Sequence, residues 1–169
     1  MDAKSHFSIP PRNNGVRPGV GPESIHDALR LIEESERPFI FAGAGINHTR
    51  ATAKLIELAT LLDASVVTSE LGKGGMPEDS PYSVGVFRSS VTQAAMEESD
   101  PLIAIGTRFT YHDTNNWSMK IRQPLLHIEA DATEINRDYP ATVGIGADAK
   151  VVLRQLNAEL RGSEQSRAC

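Results

Sequence analysis

The spacing of apolar residues changes along this chain in a repeating way. Phe39-Ile40-Phe41-Ala42, Ala64 to Thr68, Leu102 to Gly106, Pro124 to Glu129 and Thr142 to Ile145 are short, mostly apolar runs with little polar alternation, each leading into glycine or polar residues. Such runs predict strands of a parallel sheet buried on both faces. Between them the apolar positions recur every three or four residues. Pro22 and Glu23 open a helix over 22–36 that carries Ile25, Ala28, Leu29 and Ile32 on one face and stops before Pro38. A second helix over 49–62 places Leu55, Ile56, Ala59 and Leu62 together, and a third follows the capping pair Ser90 and Gln93 with Val91, Ala94 and Ala95, up to about Ser99. A last one begins near Asp148 and keeps Val152, Leu153, Leu156 and Leu160 on one side. Asp131 with Glu134 reads as the cap of a short helix.

Strands that alternate with helices imply an α/β fold: a doubly wound, Rossmann-like parallel sheet of five or six strands with helices on both faces. Residues 1–20, with Pro10, Pro11, Gly15, Pro18 and Gly19 and no periodicity, read as a linker or arm; 21–161 form the domain, and 162–169 are a polar tail. Leu71 to Asp79 and Thr107 to Met119 are long loops.

The 169 residues suit one domain. With 17 basic against 22 acidic residues and a net charge of -5, the chain lacks the excess that neutralises nucleic-acid phosphates, so DNA and RNA are not expected partners. No apolar run is long enough to span a bilayer. The single Cys169 makes no internal disulfide and fits a reducing cytoplasm, and the N-terminus has no signal-peptide layout.

In an open α/β sheet, ligands bind at the carboxyl ends of the strands where the strand order reverses. Gly43 and Gly45, ahead of a helix, could bring backbone close to a pyrophosphate, although His48 stands where a third glycine belongs and a tight turn needs glycine for its own sake. Arg108, past a strand end, suits a phosphate or a surface ion pair. Glu129 follows a strand as a ribose-binding acid does, but about 80 residues after the glycine turn instead of about 20. His6, His26, His48, His112 and His127 show no metal spacing, no serine sits in a nucleophile elbow, and Lys73 in Gly72-Lys73-Gly74 lacks P-loop spacing. No catalytic residue and no metal ligand is assigned.

Taken in order, Arg37-Pro38-Phe39-Ile40-Phe41-Ala42-Gly43-Ala44-Gly45, Leu71-Gly72-Lys73-Gly74 with Pro77-Glu78-Asp79 and Pro81, Asp100 to Phe109, His127-Ile128-Glu129-Ala130-Asp131 and Ala147-Asp148-Ala149-Lys150 carry a resemblance. The chain from about Pro22 to Leu160 resembles the central domain of thiamine-diphosphate-dependent enzymes of the acetolactate synthase and 2-oxoacid decarboxylase group. The resemblance implies a pyrimidine-binding domain before this one and a diphosphate-binding domain after it, on the same or a partner chain, and an oligomer is compatible with it. The activating glutamate and the Gly-Asp-Gly magnesium motif belong to those domains, and Gly-Asp-Gly does not occur here. Thiamine diphosphate and magnesium are therefore expected only in a complete three-domain enzyme, and the isolated chain is expected to be inactive.

In such enzymes this domain holds FAD structurally, holds an adenine nucleotide such as ADP, or holds nothing. Carried over, the cofactor-binding positions are Gly43, Ala44, Gly45, Thr68, Leu71, Gly106, Arg108, Glu129 and Asp148. Two segments depart from the FAD-binding pattern. Gly85-Val86-Phe87-Arg88-Ser89-Ser90 stands for Gly-Met-Leu-Gly-Met-His, and Arg108-Phe109-Thr110-Tyr111-His112 for Arg-Phe-Asp-Asp-Arg. The alternatives are a free-standing nucleotide-binding or scaffold domain and a sirtuin-like NAD-dependent deacylase, which shares the Gly43-Ala44-Gly45-Ile46 turn but needs four zinc-binding cysteines.

Overall fold

The computed structural model describes residues 20–88 and 90–167. The arm expected over 1–20, apart from Val20, and Cys169 fall outside them. Among the described residues, β1 (Phe39–Ala42), β2 (Ser65–Thr68), β3 (Ser83–Val86), β4 (Leu102–Ile105), β5 (Leu125–Glu129) and β6 (Val143–Gly146) form one sheet in the order β3-β2-β1-β4-β5-β6. Every neighbouring pair is parallel. This is the doubly wound, Rossmann-like architecture that the alternation of strands and helices predicts.

The two strands with the most continuous apolar runs, β1 and β4, are the central pair: Ile40, Phe41, Ala42 and all four residues of β4 have no exposed surface. Their side chains alternate between two layers. Ile40, Ala42, Ile103 and Ile105 face the larger layer, and Phe39, Phe41, Leu102 and Ala104 the smaller. The helices α1 (Pro22–Glu33), α2 (Gly45–Thr49), α3 (Thr52–Leu62), α4 (Ser90–Glu97) and α5 (Ala149–Arg167) are divided unequally between them. Four cover the larger layer, through Ile25 and Ile32 of α1, Ile46 of α2, Leu55 and Leu58 of α3, and Val152, Leu153 and Leu156 of α5. The smaller layer receives Met96 from α4, and loop residues Phe87, Phe109 and Met119 complete it.

Several boundaries differ from the pattern-based ones for local reasons. The first helix ends at Glu33 because the Asp100 carboxylate accepts the Glu36 and Arg37 amides at 3.1 and 2.6 Å and draws the chain toward the sheet. The helix expected over 49–62 begins at Thr52; a separate short helix ends at Thr49, and Arg50, at φ 53°, stands between the two. The strand β3 went unrecognised because Gly85, at φ 85°, interrupts a run of only four residues, and its register against β2 shifts. The last helix continues to Arg167, through the segment expected to be a polar tail. A solvated helix needs only its own backbone hydrogen bonds to extend, so loss of apolar periodicity does not end it. The loop after β4 stays irregular, with Phe109, Asn115, Asn116 and Trp117 at positive φ. Among the described residues no helix is long and apolar enough to cross a membrane.

Candidate functional site

Chain order proceeds outward from β1 to β3 on one side and from β4 to β6 on the other, so the order reverses between β1 and β4. The loops after these strands meet there. The Gly43 amide donates to the Ile105 carbonyl at 2.8 Å and the Gly45 amide to the Gly106 carbonyl at 2.9 Å. A Cβ on Gly43 would lie 2.3 Å from the Gly106 oxygen, one on Gly45 2.6 Å from the Gly106 Cα, and one on Gly72 2.3 Å from the Ala42 oxygen. The glycines thus allow loop backbones to touch. Two amides expected to cradle a pyrophosphate are already used within the protein, whereas the Ala44 amide meets no backbone carbonyl among the described residues.

The remaining carried-over positions extend this point into a row. Thr68, at the end of β2 opposite Ala42, is buried and donates its hydroxyl to the Gly85 carbonyl at 3.3 Å. Leu71 projects into solvent, 69% exposed, on a loop tied to α2 by Asn47, whose amide donates to the Lys73 carbonyl at 3.0 Å. Gly106, at φ 63°, ends β4 and donates to Ile128 of β5 at 2.7 Å. Arg108 is exposed, and its carbonyl accepts from the Arg137 guanidinium at 3.2 Å. Glu129 ends β5, is buried, and accepts the Asp131 amide at 3.3 Å. Asp148 follows β6 and caps α5, accepting the Lys150 and Val151 amides at 2.9 and 3.2 Å. The nine positions therefore lie at the carboxyl ends of five neighbouring strands, in the spatial order β2, β1, β4, β5, β6.

Asp131 caps the 3-10 turn Ala132–Glu134, with Oδ1 accepting from the Thr133 amide and hydroxyl. These hydrogen bonds, the one from the hydroxyl foremost, hold its carboxyl below the usual aspartate range. Arg137, hydrogen-bonded first to Asp138 and also paired with Glu134, is held firmly charged. His127 points into the smaller layer, 1% exposed, with Nε2 at 2.8 Å from the Thr107 carbonyl and Nδ1 without a partner among the described residues. Burial pushes its pKa below the ordinary 6.5 against the opposing effects of Thr107, Glu129 and Glu134. Tyr139, its ring tilted against Phe109 with centroids 5.0 Å apart, is pushed up by burial.

A cleft of about 400 Å³ opens beside the row, between the ends of β2 and β3, α4 and the loop after β4. Glu70, Phe87, Arg88, Gln93, His112 and Lys120 line it, Glu70 and Arg88 form an ion pair, and none of the nine carried-over positions does. The sequence reading missed Glu70 and Lys120. The signal was available in part, since Glu70 lies between Thr68 and Leu71, but Lys120 reaches the cleft only through the irregular loop. Gln93, read as half of a capping pair, donates through Nε2 to Glu97 at 2.9 Å and to the Lys120 carbonyl at 3.1 Å.

Among the described residues no three histidine, cysteine, aspartate or glutamate side chains stand together as metal ligands.

Residues 25–156 match the family model described as thiamine pyrophosphate enzyme, central domain. The chain is 40% identical over 143 residues to the probable acetolactate synthase large subunit of Methanocaldococcus jannaschii, which covers 82% of this chain and 24% of that protein. It is 34% identical over 169 residues to acetolactate synthase of Mycobacterium bovis, covering 95% and 27%, and 30% identical over 150 residues to chloroplastic acetolactate synthase 1 of Zea mays, covering 86% and 23%. The chain thus spans about a quarter of the length of these curated relatives. Strand order, the glycine contacts at the reversal and these likenesses agree, and the chain belongs to the thiamine pyrophosphate enzyme family, as its central domain.

Proposed function

We propose that this chain is the non-catalytic, nucleotide-holding domain of an acetolactate synthase-like enzyme, and that an adenine nucleotide, FAD or ADP-like, lies along the strand ends from β2 to β6. The row of candidate positions carries this reading. Adjacent strands stand roughly 4.8 Å apart, so five of them present a line of about 19 Å, suited to an extended dinucleotide more than to a compact metabolite. Arg108 supplies a guanidinium for the phosphates, the Ala44 amide a backbone donor, and Glu129 a carboxylate for ribose hydroxyls. Thr68 and Leu71 flank the far end. The Asp148 carboxylate already accepts two α5 amides, which favours Glu129 as the sugar ligand. Bound FAD in this role is structural, bracing loops against the neighbouring domains.

The pyrimidine-binding and diphosphate-binding domains are the partners this reading requires, within a cytoplasmic enzyme that uses thiamine diphosphate and magnesium in the complete protein. Titration of the chain with FAD, ADP and NAD, followed by backbone NMR shifts, tests the crevice. Saturable shifts at Ala44, Arg108 and Glu129 that weaken in Arg108→Ala are the expected outcome. Binding unchanged by that substitution, or shifts confined to the amino-terminal edge of the sheet, would overturn the assignment.

A further inference from the structure

The loop carrying Arg108 is held from beneath by one buried side chain. In register, His127 lies between Ala104 of β4 and Gly144 of β6, with its imidazole in the smaller layer beside the Phe109 ring. The Thr107 carbonyl 2.8 Å from Nε2 can only accept, so Nε2 carries the proton and Nδ1 holds a bare lone pair. This carbonyl belongs to the peptide that leads into Arg108, and its orientation sets the direction in which Arg108 leaves the sheet. The contacts around it converge on the same three residues. The Thr107 hydroxyl accepts the Phe109 amide at 3.2 Å, the Phe109 ring lies 4.9 Å from His127, and Arg137 donates to the Arg108 carbonyl at 3.2 Å. Glu129 on the same strand and Glu134 on the 3-10 turn are the charged groups facing the imidazole, with Tyr139 beyond Phe109.

We propose that His127 is a positioning residue for the nucleotide crevice: it touches no ligand itself, but through Nε2–H it fixes the Thr107–Arg108 peptide and so aims the Arg108 guanidinium across the strand ends. The ligand half of this inference rests on the nucleotide reading above; the hold on the loop does not. Phe109 is at φ 52°, a conformation that a non-glycine residue keeps only when its surroundings impose it, so loss of the His127 hydrogen bond frees the loop to relax.

Two substitutions separate positioning from bulk stability. His127→Gln places an amide N–H near the position of Nε2, whereas His127→Leu fills similar space with no donor. With ADP as the probe, His127→Leu is expected to weaken binding by about fivefold, the equivalent of one hydrogen bond, and His127→Gln to stay within about twofold. In an Arg108→Ala background the leucine substitution should cost nothing further, since there is no guanidinium left to aim. Hydrogen exchange supplies a readout independent of ligand. Protection of the Phe109 amide should fall relative to that of Gly106, which donates to Ile128 across the sheet and follows global stability. Equal loss of ADP affinity in both backgrounds, or equal change at Phe109 and Gly106, would overturn the role of His127. If the unsubstituted chain fails to bind ADP, the nucleotide reading falls and takes the aiming of Arg108 with it, whereas an unchanged exchange ratio with ADP still bound removes only His127.

Discussion

At Gly43 and Gly45 the atoms that a side chain would meet belong to backbone, the Gly106 oxygen at 2.3 Å and the Gly106 Cα at 2.6 Å, which cannot rotate aside. Alanine at either position is expected to lower the unfolding free energy by about 1–3 kcal/mol through forced separation of the two loops, measurable by urea denaturation. Gly162 on α5 has open space where its Cβ would be, and Gly162→Ala should raise stability by about 0.5–1 kcal/mol in the same assay. His127 links pH to stability. Its folded pKa lies below the ordinary 6.5, so the unfolded chain takes up the proton first. The His127 contribution is complete above that value and declines as pH falls from it toward the folded pKa. The drop in unfolding free energy between pH 7.5 and 5.5 should be smaller in His127→Gln than in the unsubstituted chain; an identical drop would show that His127 does not carry it.

Between elements, α3 and α5 are joined on their solvent side by more than apolar packing. Glu57 accepts from Lys54 at 2.8 Å and pairs with Arg161, and the Asn157 amide, fully buried, donates to the Lys54 carbonyl at 2.9 Å. The Lys54 hydrogen bond is the main cause of a Glu57 carboxyl lowered from its ordinary range, so its stabilisation is present above the unfolded pKa and is lost on acidification through the folded one. Asn157→Ala removes a fully buried amide and its hydrogen bond between the helices and leaves a cavity, and is expected to cost about 1–3 kcal/mol, whereas Glu57→Gln, on a partly exposed pair, should cost at most about 1 kcal/mol. Thermal unfolding of both variants checks the ranking. The element pattern was legible where burial dictates residue choice: β1, β4, β5 and the apolar faces of α1, α3 and α5. It was not legible at Arg50 or Gly85, because a single left-handed residue splits a helix or bends a strand without changing the surrounding hydrophobic spacing.

For the molecule as a whole, the sheet supplies a row of strand ends, and the chain spans about a quarter of the length of its curated relatives. Calorimetric titration of the isolated chain with thiamine diphosphate and magnesium is expected to give no stoichiometric submicromolar site, and pyruvate should not be decarboxylated. Either activity would remove the reading of this chain as a non-catalytic part. The smaller layer, closed by α4 and the loop after β4 and not by several helices, is also the side on which the charged cleft of Glu70, Arg88 and Lys120 opens.

Unbroken apolar runs and their alternation with amphipathic helices determined by themselves the parallel α/β class, because a strand buried on both faces tolerates no polar alternation. The same reading marked the loops in which a ligand would lie. The tertiary structure alone decided what those loops can offer. Whether the glycine amides of Gly43 and Gly45 face a ligand or the Gly106 loop depends on how two distant segments pack, and they face the loop. Likewise the histidine at position 127 gave no sign in its local sequence of a role near Arg108. Twenty residues separate it from Thr107, and only the pairing of β4 with β5 brings its imidazole under that carbonyl.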